Sequence, residues 1–235
     1  MFNLMKLELK KVNIRSYIYS AFMIGIFLLG IIYLFAFAPR IEPTDPDMKM
    51  FAGYERIIPL FSTVCMFAFS LLSSAMFSKI VIEEYSGKRT ILLFSYPISR
   101  SKVFFVKIIF VSLFVATAMI VTSICIYIIF GISESIYHLV QGNITFDIIK
   151  RGIKLTVYMS ISAISVGVIS MAIGFIKKSI TTTIISSVLL CSLLSNIVAG
   201  FISSDSPIII FTIILVLLCV FVLNIISNRI NTMEM

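Results

Sequence analysis

Long apolar runs separated by short charged segments dominate the chain. Six of these runs contain no Asp, Glu, Lys, Arg or His: 17–38, 57–77, 108–130, 155–176, 180–202 and 208–226. About 20 apolar residues in a helix rising 1.5 Å per residue cross a hydrocarbon core of ~30 Å. In lipid a spanning segment must satisfy its own backbone hydrogen bonds, and runs of this length do so as helices. The pattern predicts an all-α, polytopic membrane protein of six transmembrane helices, one membrane domain over 1–235. The second run stays apolar to Ile82 and Lys79 can snorkel, so the second or third helix is expected to project beyond the bilayer. Before the first run, Phe2, Met5, Leu9 and Val12 recur at helical spacing, while Lys6, Lys10 and Asn13 fall on another face. This predicts an amphipathic helix over 1–14 lying in the membrane interface.

The basic residues orient the spans. With the N-terminus inside, thirteen Lys and Arg fall on the inner side and six outside (Arg40, Lys49, Arg56, Lys150, Arg151 and Lys154). The positive-inside rule then places both termini in the cytoplasm. Lys150, Arg151 and Lys154 oppose this locally. Outside, 39–56 carries three prolines and four acids and reads as an ordered loop. The longest outer segment is 131–152, with room for a short helix, and 203–207 reads as a tight turn.

Composition narrows the classes further. The 235 residues are 60% hydrophobic and 13% charged, with mean hydropathy +1.11. A soluble domain carries about 25% charged residues, so one aqueous core does not account for this chain. The net charge of +8 sits between apolar runs with no basic, aromatic-interleaved patch, which argues against nucleic acid as a partner. Cys65, Cys125, Cys191 and Cys219 lie inside apolar runs without a CxxC pair and read as small hydrophobes, not a disulfide frame or metal site. The charged N-terminus and the length of the first run do not fit a cleaved signal.

The inner segment 79–107 is the most informative stretch, since its counterpart 177–179 is almost absent. Gly87 can end the helix carrying Glu83 and Glu84. Residues 90–94 (Thr-Ile-Leu-Leu-Phe) form an apolar patch, Pro97 disfavours helix at Tyr96, and Ser99 is a candidate N-cap for the third span. The result is a short helix bracketed by Gly and Pro, offering apolar anchors within a rim of Glu83, Glu84, Lys88 and Arg100. That is the anatomy of a protein-docking element; the alternative is a helix lying on lipid.

Residues 83–102, EEYSGKRTILLFSYPISRSK, resemble the segment after the second span in permeases of the ABC type-2 exporter family. The matching positions are Glu83, Glu84, Gly87, Thr90, Leu92, Leu93, Ser95, Pro97, Ser99, Arg100 and Lys102. The span count, the inner termini and the amphipathic N-terminal helix are also similar to that family. The resemblance implies that this segment is the coupling helix, resting in a groove of a separate ATPase. Its coupling residues would be Glu83, Glu84, Gly87, Thr90, Leu92, Leu93, Phe94, Pro97 and Arg100. It further implies two ATPase copies, a second permease copy or related permease, and ATP and Mg bound by the ATPase, with no cofactor in this chain. The small size and short outer loops resemble permeases that expel antimicrobial peptides, as in bacitracin and lantibiotic resistance. Abundant Ile, Lys and Ser is the composition of a low-GC bacterium, so the expected home is a bacterial plasma membrane.

Other readings carry less. Glu83 and Glu84 overlap the Glu-Glu-x-x-x-Arg motif of intramembrane CAAX-type proteases, but Lys88 stands at the Arg position. His138, the single histidine, falls in an outer loop. Neither a metal-ligand set nor a Ser-His-Asp constellation is available, so the chain is expected to hold no catalytic residues. An ion-coupled transporter keeps ionisable residues in its spans, and these six runs hold none. There is also no GxxxxGK[ST] phosphate loop. Uphill transport would therefore draw its energy from another polypeptide. Ser160, Ala163, Gly167, Ser170 and Gly174 form a stripe on the fourth span that favours close helix packing. The Ser/Thr-rich fifth span reads equally as packing surface or polar wall of a transport path. Another cargo, such as sodium or a lipid, and a non-transporting membrane sensor or scaffold are the remaining alternatives.

Overall fold

The computed structural model describes residues 13–41, 53–85, 100–137, 139–140, 145–200 and 205–231. Among these residues there are six long helices and no strands. Helix α1 is Ile14–Ile41. Helix α2 begins as Tyr54–Phe77, passes through a π-helical turn at Ser78–Ile82 and closes with Glu83–Tyr85. Helices α3, α4, α5 and α6 are Arg100–Tyr137, Phe146–Lys177, Ile180–Gly200 and Asp205–Asn231. All but two positions of the interfacial helix expected at 1–14 lie outside the described residues.

Five of the six apolar runs sit inside helices that overshoot them, whereas 180–202 begins with α5 and continues past its last residue, Gly200. Within 131–152, residues 131–137 and 146–152 are helical. α3 continues to Tyr137 and α4 starts at Phe146, which takes up most of that segment. Once a helix is nucleated, each added residue gains a hydrogen bond at little cost, so the end of an apolar run does not end the helix. At 38 residues, α3 is about 57 Å long, well beyond one bilayer core. Among the described residues, five helices are long and apolar enough to cross a membrane: α1, α2, α3, α4 and α6. The remaining predicted span is α5, of 21 residues, whose described apolar stretch is Ile180–Ser195.

Helices α2 and α4 are the central pair. α1 packs on α2 and α3, α5 on α2 and α4, and α6 on α4 and α3. Phe61, Phe69 and Phe77 of α2 and Val166 and Met171 of α4 are fully buried. The peripheral helices instead turn large apolar side chains outward, among them Phe22 and Phe27 on α1, Leu189 and Leu193 on α5, and Leu217 and Phe221 on α6. A surface of this kind is at home in lipid, not water.

Two backbone positions shape the connections. Gly53 starts α2 at φ 90°, a conformation that favours glycine. α4 ends with Lys178 in the left-handed region at φ 48°. Ser179 N donates to Gly174 O at 3.1 Å and Lys178 N to Phe175 O at 3.3 Å, the double closure of a Schellman motif. The chain thereby reverses within two residues and enters α5, consistent with the very short segment expected at 177–179.

Candidate functional site

The end of α2 is built around a buried ion pair. Lys107 on α3 is 0% exposed and Glu84 on the last turn of α2 is 7% exposed. The Lys107 ammonium pairs with the Glu84 carboxylate and also donates to the Ile80 carbonyl at 3.2 Å. Ile80 belongs to the π turn, in which Glu83 N donates to Ser78 O, five residues back. Lys107 therefore ties α3 to both the π turn and the closing turn of α2. Around it, Val81, Ile82 and Phe104 are buried, and Phe104 packs on Phe175 of α4 with ring centroids 6.4 Å apart. A buried ion pair contributes little net stability but is costly to break on one side, so its value is in fixing geometry.

Of the residues expected to couple to a partner, Glu83 is half-buried, within electrostatic reach of Tyr17 on α1. Glu84 does not stand on a solvated rim as expected; it turns inward because Lys107 offers the charge it needs. Arg100 is the first residue of α3, directly after the predicted cap Ser99. Gly87, Thr90, Leu92, Leu93, Phe94 and Pro97 lie outside the described residues. Lys107 was legible only as one more basic residue between spans. A lysine one turn past Phe104 in an apolar setting (Val-Phe-Phe-Val-Lys-Ile-Ile) was the available signal.

Above the pair runs a seam of small and hydroxyl side chains. Ser160, Ala163, Gly167, Ser170 and Gly174 are all buried. A Cβ on Gly167 would lie 2.8 Å from Ser73 Cβ and 3.3 Å from Phe77 Cε2. One on Gly174 would lie 2.8 Å from Ile82 Cδ1 and 2.9 Å from Thr183 Cβ. Helices α2, α4 and α5 thus converge at Gly174. The polar face of α5 also points into this seam: Ser187 and Ser74 hydroxyls are 2.9 Å apart, and Ser70 Oγ meets Cys191 Sγ at 2.6 Å. Thr183, Ser186 and Ser187 are buried while Ile184, Ile185 and Leu189 face outward. Within this chain Thr183, Ser186 and Ser187 are packing surface, while Thr181 and Ser192 are exposed.

At the opposite end of the bundle, the start of α2, the end of α3 and the start of α4 border an open apolar hollow of about 380 Å³. Its lining includes Tyr54, Ile57, Tyr127, Phe130, Ile149 and Ile153. One helical turn beyond Phe130, Glu134 is 5% exposed; its Oε1 accepts from Val140 N at 2.8 Å. Both Lys107 and Glu134 fall just outside the predicted charge-free runs but inside the same helices.

A bundle of long helices turning large apolar side chains outward around a small-residue seam defines a multi-pass membrane protein. The model of the ABC-2 family transporter protein family matches residues 4–193, and the chain belongs to that family. Its members are membrane subunits that work with an ABC ATPase and are not catalytic themselves. The chain is also similar to the uncharacterized protein YcbO of Bacillus subtilis (strain 168), 27% identical over 200 residues, covering 85% of this chain and 86% of the relative. No solved structure matches the chain.

Proposed function

We propose that this chain is the permease subunit of an ATP-driven exporter, coupled through 83–102 to a separate cytoplasmic ATPase. Two ATPase copies, binding ATP and Mg, would act on two permeases, either two copies of this chain or one copy with a relative. In this reading α5 is the sixth span and both termini are cytoplasmic in a bacterial plasma membrane. The cargo is an amphipathic antimicrobial peptide or drug. The observation that carries the coupling role is the Glu84–Lys107 pair. It clamps together the two helices that enter and leave 86–99, so a push on that segment reaches α2 and α3 as a unit. Glu84 then acts by positioning the segment, while Leu92, Leu93 and Phe94 are the anchors in the ATPase groove.

Truncating the anchors in Leu92→Ala with Leu93→Ala is expected to act as an interface hot spot, weakening ATPase association by roughly 2 kcal/mol or more. Co-purification of the ATPase and transport by the reconstituted complex are the measurements. An intact complex with normal transport rejects the docking role. Rim charges such as Lys88 are expected to contribute about 0–1 kcal/mol, fading at high salt.

The orientation has its own test. In a background lacking the four native cysteines, an impermeant thiol reagent applied outside is expected to label Asp45→Cys and spare Ser86→Cys. Labelling at position 86 from outside inverts the topology.

A further inference from the structure

The hollow bordered by α2, α3 and α4 is apolar at one end and charged at the other. It shares Tyr54, Ile58 and Ile148 with a shallow cleft of about 90 Å³, whose further lining is Glu55, Asp147 and Arg151. Ile124, Ile128, Ile149 and Ile153 of the hollow are exposed, so it opens on the apolar outer surface of the bundle. The charges stand where the apolar runs begin: Glu55 just before 57–77, Asp147 and Arg151 just before 155–176. Tyr54 lies at the junction, and tyrosine is enriched at the membrane–water interface. The hollow thus sits at hydrocarbon depth and the cleft at headgroup depth.

Water is a poor occupant of the hollow. A held water needs two to four polar partners, and the side chains lining the hollow offer only the Tyr54 and Tyr127 hydroxyls. Both already have partners, Glu134 and Ser62 respectively. A volume of about 380 Å³ is within the range of ligand sites, and the medium that meets this opening is acyl chain. In the cleft, Glu55 comes from α2 and is exposed, while exposed Asp147 and half-buried Arg151 lie one turn apart on α4. Arg151 has a contact within the protein, but a guanidinium carries five N–H donors and can serve a further anion. It also belongs to the cluster of Lys150, Arg151 and Lys154, which the positive-inside pattern leaves unexplained.

We propose that this depression binds one bilayer phospholipid with a zwitterionic amine head, of the phosphatidylethanolamine type. One acyl chain lies in the hollow, the phosphate accepts from Arg151, and the ammonium donates to Glu55 and Asp147. A purely anionic head satisfies Arg151 but sets its charge against two carboxylates. An uncharged head satisfies none of the three. The lipid bridges the start of α2 to the start of α4, and the site stands independently of any ATPase or cargo.

The test uses the full chain, purified in detergent and stripped of lipid, then titrated with dioleoyl phosphatidylethanolamine, dioleoyl phosphatidylglycerol or dioleoylglycerol. Native mass spectrometry reads the lipids retained per chain. Saturation at one phosphatidylethanolamine is expected, with the other two binding about fivefold more weakly, a selectivity within reach of exposed ion pairs. Melting temperatures, raised by whatever binds the folded state, should follow the same order and lose it at high salt. Glu55→Gln with Asp147→Asn alters only exposed side chains and is expected to reverse the preference towards phosphatidylglycerol. Arg151→Gln should weaken both phospholipids and leave dioleoylglycerol unchanged. Gly152 lines the hollow, and a Cβ there meets Ile58 Cγ2 at 3.6 Å and Tyr127 Cε2 at 3.9 Å, ordinary contacts. A leucine at 152 therefore grows into the hollow and should abolish binding of both phospholipids. Melting without lipid confirms that each variant is folded; if Gly152→Leu is not, the exposed variants still decide. Equal binding of the three lipids means ordinary boundary lipid and overturns the site. So does a folded Glu55/Asp147 variant that keeps the wild-type preference, or a folded Gly152→Leu that binds as wild type. No ATPase enters the assay, so this outcome and that of the Leu92/Leu93 experiment are separable.

Discussion

Lys107→Ala is expected to destabilise the bundle by about 3–5 kcal/mol, the penalty for leaving a buried charge without its partner. The substitution strips Glu84 of its counter-ion and the Ile80 carbonyl of a donor, and it removes four methylene-scale groups from a site walled by Phe104 and Ile82. Glu84→Ala should cost a similar amount by stranding the ammonium. Replacing both partners by methionine removes the charge problem while keeping volume, so the double variant should recover most of the loss or exceed wild-type stability. Detergent-solubilised protein monitored by thermal denaturation reads the series. If the double variant is as unstable as either single one, the pair is not a coupled electrostatic unit. Under the proposed function, the stable double variant should still assemble with the ATPase but transport poorly, since the tie between α2 and α3 is gone.

The second large effect is expected at Gly167. A leucine there must place its Cβ where Ser73 Oγ and Cβ now lie, with Phe77 Cε2 at 3.3 Å. Neither neighbour can give way easily, because Ser73 and Phe77 are fully buried on the central helix α2. The helices must separate, and overpacking of this kind costs about 3 kcal/mol at the upper end of its usual range. Gly167→Ala should fall lower, at about 1–2 kcal/mol. Pairing Gly167→Ala with Ser73→Gly restores the space and should recover much of that loss. A neutral Gly167→Leu would mean that α2 and α4 do not approach as described.

The helical, multi-pass character was legible because charge-free runs of twenty residues have few other solutions. Even the stripe on α4 could be read as packing, since small residues at 3-4-3-4 spacing serve little else. The helix ends were not legible. Hydropathy marks where lipid ends, whereas backbone hydrogen bonding decides where a helix ends, and α3 runs past Phe130 to Tyr137. The same difference hid the buried charges. Lys107 and Glu134 are polar letters at the margins of apolar runs, and only three-dimensional packing brings Glu84 to the first and Tyr54 to the second. The direction of the fifth helix's hydroxyls was open in the sequence, because Ser and Thr suit a packed seam and a wetted wall alike. Ser187 meets Ser74 on α2 and Ser186 donates to the Ser170 carbonyl on α4, so these two are packed in the seam, whereas Thr181 and Ser192 are exposed.

The π turn at Ser78–Ile82 is one residue more than an α-helical path requires. Whatever lies beyond it on α2 is therefore rotated by about 100° relative to an uninterrupted helix, the angle of one residue at 3.6 per turn. Glu84 faces Lys107 only because of that offset. Loss of a single codon within the turn would leave the reading frame and every apolar run intact, yet swing the carboxylate around the helix and away from its lysine. A gene lineage could gain or shed that one triplet without altering the hydropathy profile, so two relatives indistinguishable by span pattern would differ in how α2 hands over to the segment that follows it.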